Sequence, residues 1–217
     1  MQFQWLKSAF HDLTFQQPST VNSNESRYQQ RELTHMQTSP KRHVLHVALY
    51  ARGGIRDANG NLTYHWAFIV SEANETFENI NNGTKYHVLN TMVAETGTDP
   101  WRFEKKSLSE NGAGLLLIRV TIAEVLDYDR LVQVLEGLPV RQGDPSFNCR
   151  TWLRDATKAL DEGDCLGERV MDWEAIEAQT RKYVGEKMAV GRWKREGEWD
   201  IKMTATWSML EGREIFP

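Results

Sequence analysis

HVLHVALYARGGIRDANGNLTYHWAFIVS (43–71) is the stretch whose reading decides the fold. Residues 43–51 alternate in polarity and are rich in Val and Leu, the pattern of a half-buried strand. Residues 52–63 carry Gly53-Gly54 and Asn59-Gly60, which signal a turn, and 64–71 reads as a second strand. Beyond the polar loop 72–84, residues 85–93 form a third strand and 101–108 a fourth. Residues 113–124, AGLLLIRVTIAE, are the most apolar of the set and are expected at the centre of the sheet.

The hydrophobic period then changes. Asp127 or Asp129 caps a helix whose apolar positions include Leu131 and Leu135, ended by Gly137 and Pro139. A turn over 143–148 leads into a helix that opens at Cys149, runs through Trp152, Leu153, Ala156 and Leu160, and breaks at Gly163. Asp172 caps a third helix over 173–188. Residues 189–217 are expected to be irregular. Strands first and helices last imply an α+β fold, an antiparallel sheet with helices packed on one side.

On the N-terminal side, residues 1–42 are expected to form an arm. It holds a possible short helix from Phe3 to Phe15, followed by a polar stretch with too few apolar residues to offset ordering. Residues 43–217 are expected to make one domain. The chain has 217 residues and a formal net charge of −4, and its 26 basic residues are scattered. Nucleic acid is therefore not an expected partner, since its binding needs a basic face. The N-terminus lacks the apolar run of a signal peptide, no window reaches the length of a membrane span, and there are only two cysteines. A reducing, cytoplasmic setting is expected.

Those two cysteines differ in setting. Cys149 opens a helix, where unsatisfied backbone N–H groups and a partial positive charge favour a thiolate and can stabilise an oxyanion. Cys165 lies in DEGDCLG, where neighbouring carboxylates raise its pKa, and is read as structural. Of the six histidines, His65 and His87 each follow a Tyr near the start of a strand. A base and a group that orients its ring are what a thiol nucleophile requires. Taken singly, a free Cys is more often a buried hydrophobe, and a strand His is more often a satisfied core residue. No zinc spacing, phosphate loop or dinucleotide fingerprint is present, and no metal or cofactor is expected. Glu95, Asp99 and Glu104 lack the paired setting of glycosidase carboxylates. Tyr50, Trp66 and Trp152 are candidates for the lining of a substrate pocket, with core packing as the competing reading for the two Trp.

The order Tyr64-His65-Trp66-Ala67-Phe68-Ile69-Val70, Tyr86-His87-Val88, Phe147-Asn148-Cys149-Arg150-Thr151-Trp152-Leu153 resembles the permuted branch of the NlpC/P60-type papain-like hydrolases. The likeness is nearest to the lecithin retinol acyltransferase and H-Ras-like suppressor acyltransferase group, and it covers roughly residues 43–160. The resemblance implies Cys149 as nucleophile, His65 as general base and His87 as the residue that orients His65, with Tyr50 as a further polar group near the thiol. The two His stand 22 residues apart, so the loop between them is an insertion relative to that group. The whole chain is also similar to a group of fungal proteins sharing HWA, NC and the C-terminal Leu210-Glu211-Gly212-Arg213-Glu214. The expected function is cysteine-dependent acyl transfer on a small-molecule or other acyl substrate: an ester, thioester or amide, resolved by water or by a second acceptor. A biosynthetic isomerase or cyclase using the same pair, and a binding protein that keeps the fold, remain the alternatives.

Overall fold

A computed structural model of the chain describes residues 42–56, 60, 62–76, 82–92, 94, 97–108, 115–194 and 203–217. The expected arm, with its Phe3 to Phe15 helix, lies outside the described residues apart from Arg42. Residues 41–217 form one compact unit.

Five strands come first: β1 (His43–Arg56), β2 (Leu62–Glu72), β3 (Thr84–Asn90), β4 (Trp101–Ser107) and β5 (Leu116–Val125). Then follow α1 (Tyr128–Glu136), α2 (Cys149–Asp161), β6 (Leu166–Arg169), α3 (Trp173–Ala189), β7 (Ala205–Ser208) and β8 (Arg213–Phe216). The strands form one open sheet in the order β4-β3-β2-β1-β5-β7-β8, with β6 also on β5. All pairs are antiparallel except β5 with β7. This is the α+β architecture that the segregation of strands and helices predicts.

Alternation along the strands sets the two faces. Leu45, Val47 and Leu49 of β1 stand opposite Val70, Phe68 and Trp66 of β2. Val47 and Leu49 also stand opposite Val120 and Ile118 of β5. These residues are buried in one cluster with Leu131 and Leu135 of α1, Trp152, Leu153, Ala156 and Leu160 of α2, and Ile176, Tyr183 and Val184 of α3. The helices' apolar stripes thus close over one face of the sheet. The other face carries a smaller cluster of Ala48, Tyr50, Ala67, Ile69, Leu108 and Leu116. Here polar groups are also buried: Arg119 is fully covered and grips Glu75 through two bonds of 2.8 and 2.6 Å.

Three expectations need correction. First, β1 does not stop at Ala51 but runs to Arg56, with a register shift between Ala51 and Arg56. Gly53 and Gly54, at φ +61° and +79°, supply the left-handed backbone that such an irregularity uses. Second, β6 is a four-residue strand that carries no local pattern. Third, the tail after residue 189 is not irregular where it is described: β7 lies parallel on β5, and β8 returns beside it. Neither is visible as a strand by alternation, because each is four residues long and the buried ones include Thr206 and Ser208.

Candidate active site

The start of α2 is built locally. The Asn148 side chain accepts from the backbone N–H of Arg150 at 3.0 Å and of Thr151 at 3.1 Å, while the Thr151 hydroxyl accepts from Asn148 N–H at 2.9 Å. This reciprocal cap makes Asn148 the N-cap and Cys149 the first helical residue. It also occupies the Arg150 and Thr151 N–H groups that a free helix end would offer to an oxyanion.

Cys149 is 5% exposed. Its sulfur accepts the backbone N–H of Trp66 at 3.5 Å. The place is significant because β2 and β3 pair only over Phe68–Val70 and Thr84–Tyr86. Beyond Phe68, β2 loses its β3 neighbour, and the sulfur takes a strand N–H at that opening, one residue from His65. No Cys149–His65 hydrogen bond is present among the described contacts.

His65 and His87 are joined directly. The β2–β3 register sets Tyr86 opposite Phe68, so His87 lies on the His65 face, and His65 Nε2 lies 2.6 Å from His87 Nδ1. Their rings meet edge to face, 4.8 Å between centroids. Behind them, β3 and β4 place His87 opposite Glu104, and His87 Nε2 lies 2.8 Å from Glu104 Oε2. The sequence reading set Glu104 aside; the structure makes it the end of the chain of hydrogen bonds.

The protonation of this chain follows from its ends. Burial works against ionising Glu104, but the His87 hydrogen bond and the nearby Lys85 and Lys106 hold its carboxyl below the usual range. Burial, with Lys85 close by, pulls His87 down to about 4 against the opposing pull of Glu104. Burial, with His87, Lys85 and Arg52 around it, pulls His65 down to about 3. At neutral pH both rings are therefore uncharged and Glu104 is a carboxylate, which can only accept. His87 Nε2–H donates to Glu104, so His87 Nδ1 is bare and accepts from His65 Nε2–H. His65 Nδ1 then carries the free lone pair of a base, and among the described contacts it has no partner.

The expected low pKa of Cys149 is overturned. Burial pushes the thiol above its ordinary value; the Trp66 N–H, Arg52 and the helix-start N–H groups of Arg150 and Cys149 itself oppose this without prevailing. At rest both the Cys149 thiol and the His65 ring are uncharged.

The other candidates divide. Tyr50 stands opposite His65 in the β1–β2 register, with ring centroids 6.1 Å apart. Its hydroxyl is buried with no partner, and burial raises its pKa. Its neighbour is thus the base rather than the thiol. Trp66 and Cys149 line a cavity of about 310 Å³ together with Arg52, Tyr64, Arg150 and Arg181. Trp152 is core: 1% exposed and packed against Phe68 and Phe103 at 6.5 and 5.6 Å between rings, it is not part of that lining. Cys165 is fully buried, and burial raises its pKa, with Asp127 adding to the effect.

Residues 41–216 match the model of a family described as a family of unknown function, DUF6914. The chain belongs to that family. The matched span holds Tyr50, Arg52, His65, His87, Glu104 and Cys149, so the site lies wholly inside the DUF6914 region. No curated protein and no solved structure matches the chain.

Nothing in the sequence singles out Arg52 or Arg181, and Glu104 reads there only as an unpaired carboxylate. Glu104 sits in WRFEKK (101–106), where a charged residue every second position reads as a solvated strand face. The signal it carried was its place opposite a histidine, and that depends on a register which ten intervening residues leave open.

Proposed function

We propose that this protein is a cysteine-dependent acyl-transfer enzyme with Cys149 as nucleophile, His65 as base, and His87 and Glu104 as the groups that set the tautomer of His65. The observation that carries this reading is the continuous His65–His87–Glu104 hydrogen-bond chain ending at a strand opening that Cys149 fills. A chain of this kind has little structural purpose on an ordinary strand surface, whereas it prepares a neutral ring to take a proton. The arrangement fits the permuted NlpC/P60 type, in which a strand His, a following strand His and a helix-start Cys occur in this order.

His65 Nδ1 removes the Cys149 thiol proton as the sulfur attacks a carbonyl carbon and the C–S bond forms. The imidazolium so created is steadied through His87 by the Glu104 carboxylate. The Asn148 cap takes the Arg150 and Thr151 N–H groups and not that of Cys149, which makes the Cys149 N–H the candidate donor to the oxyanion. Collapse breaks the bond to the leaving group, which departs with the proton from His65 and leaves acyl-Cys149. Water or a second acceptor then gives its proton to His65 and attacks the thioester, and the thiolate leaves and recovers that proton.

A neutral resting pair suits the burial of the site, because charge is created only when substrate has filled it. That same burial favours a second reading, a binding protein whose thiol is inert. Intact-mass measurement after exposure to a 4-nitrophenyl ester separates the two. One acyl group on Cys149, absent in Cys149→Ala and strongly slowed in His65→Ala, is the expected result. An unmodified chain, or a label on Cys165, would end the acyl-transfer reading.

A further inference from the structure

We infer that the compound served by Cys149 carries an anionic group, a carboxylate or a phosphate, which Arg52 and Arg181 hold in the cavity beside the thiol. For its chemistry this rests on the acyl-transfer reading; for its charge it rests on separate observations.

Among the described residues, the cavity around Cys149 is lined by Arg52, Arg150 and Arg181 and by no acidic side chain. A single carboxylate, Glu177, serves two of the three guanidiniums: Arg150 at 2.6 Å and Arg181 at 2.8 Å. Its other oxygen accepts the Trp173 indole N–H at 3.1 Å, so it has little capacity left for a further cation. Arg52 makes no hydrogen bond and no ion pair among the described residues. The group as a whole carries an excess of two positive charges, in a chain whose formal net charge is −4.

The cations are also positioned. Arg181 stacks over the Trp66 ring at 5.5 Å, which holds a flexible side chain over the lining. Arg52 stands on β1 directly after Ala51, where the register with β2 begins to shift. Its charge is felt by both members of the proposed pair, Cys149 and His65. A positive charge at that place favours the Cys149 thiolate and disfavours a protonated His65, and the two effects oppose each other in a transfer from one to the other; what Arg52 offers a ligand is a guanidinium with no ion pair among the described residues. Tyr64, Trp66 and Leu62 supply apolar surface for the rest of the molecule. A guanidinium fork recognises carboxylate and phosphate alike.

The test uses two near-isosteric alkylating agents, iodoacetate and iodoacetamide, on the full chain. In each, Cys149 Sγ displaces iodide from a CH₂ group. The ratio of the two rates cancels any change in the thiolate population. 2-Mercaptoethanol, which has no other charged group, gives the ratio for a free thiol. Iodoacetate should be preferred by Cys149 by about fivefold over that ratio, the scale of one exposed ion pair. Added salt should reduce the preference. Arg52→Gln and Arg181→Gln should each lower it, and Arg52→Glu should reverse it. Succinate and inorganic phosphate, added separately, tell which anion the site prefers by which one slows the reaction with iodoacetate.

A ratio equal to that of 2-mercaptoethanol, or one unchanged in both Gln variants, overturns the inference; so does a Cys149 that neither reagent reaches. Acylation by 4-nitrophenyl hemisuccinate and 4-nitrophenyl butyrate, measured alongside, keeps the two proposals apart. Anion-selective alkylation with no acyl adduct from either ester removes acyl transfer and leaves the anion site. Equal acylation by both esters, with an alkylation ratio indifferent to the arginines, removes the anion site and leaves acyl transfer.

Discussion

Two histidines on one face of the sheet meet opposite fates. His46 in β1 is 2% exposed, and both its ring nitrogens are taken: Nδ1 by the Thr121 hydroxyl and Nε2 by the Ser71 hydroxyl, each at 2.9 Å. Burial, with Arg119 near, holds its pKa well below the ordinary value. His65, one strand away, has one nitrogen committed to His87 and the other bare. A ring with both nitrogens bonded inside the protein has nothing to offer a substrate. A ring held by one nitrogen, and through it by a carboxylate, is oriented and still basic. Burial and a depressed pKa are common to both, so neither distinguishes a base from a structural histidine here.

Breaking each histidine tests the contrast most strongly. Cys149→Ala should abolish acyl-enzyme formation. His65→Ala should lower its rate by roughly a thousandfold or more, as loss of a base from such a set does. His46→Ala should leave the rate of acylation near that of the parent and instead cost about 2 kcal/mol of stability, since two buried hydroxyls lose their partner. Urea unfolding and single-turnover acylation measure the two effects, and a catalytic loss in His46→Ala would erase the distinction.

The support behind His65 should follow in a graded series. His87→Ala should reduce turnover less than His65→Ala, and His87→Gln, which keeps a hydrogen-bonding side chain, should retain more activity. Glu104→Gln should be milder still, about tenfold to a hundredfold, because it unsettles the tautomer through an intervening ring. A Glu104→Gln variant equal to the parent in kcat and in pH profile would show that the carboxylate only decorates the strand.

pH sharpens the comparison in a different way. His87 titrates near 4 in the folded chain against an ordinary value of 6.5, so between these values the unfolded chain binds more protons. Stability is then greatest above pH 6.5 and falls as pH drops toward 4, by roughly 3 kcal/mol from this group if its burial is maintained. His46 acts in the same direction. Melting temperatures from pH 8 to 4 should fall accordingly, and a flat or rising profile would contradict neutral buried rings.

The smallest effect concerns Tyr50, whose buried hydroxyl lacks a partner beside His65. Tyr50→Phe removes an unsatisfied polar group and should leave stability unchanged or raise it by up to about 1 kcal/mol. A drop in acylation rate in that variant would mean that the hydroxyl finds its partner in the bound substrate.

Local signals carried the sequence a long way. Asn148-Cys149-Arg150-Thr151 is a capping box written in four consecutive residues, so the place of Cys149 at the first turn of α2 was legible without any fold. The alternation of Leu45, Val47 and Leu49 against Trp66, Phe68 and Val70 likewise gave the first hairpin, and the Asp127 and Asp172 caps gave the other two helices. What alternation cannot carry is register, because a two-residue period repeats itself at every second offset. That is why the reach of His87 to His65 stayed open and why Glu104 was passed over. It is also why β7, which lies parallel on β5 after a separation of more than eighty residues, left no trace.

The sequence by itself determined the first five strands and the three helices in their order, the helix that presents Cys149 and the candidate pair of histidines, since each of these depends on neighbours along the chain. Only the tertiary structure decided which nitrogen of His65 is free, that Glu104 stands behind His87, that burial raises the thiol, and that of the three arginines lining its cavity two share the Glu177 carboxylate. Protonation and charge depend on which groups lie within a few ångströms in space and on how much water they have lost, and both are set by packing between residues far apart in sequence.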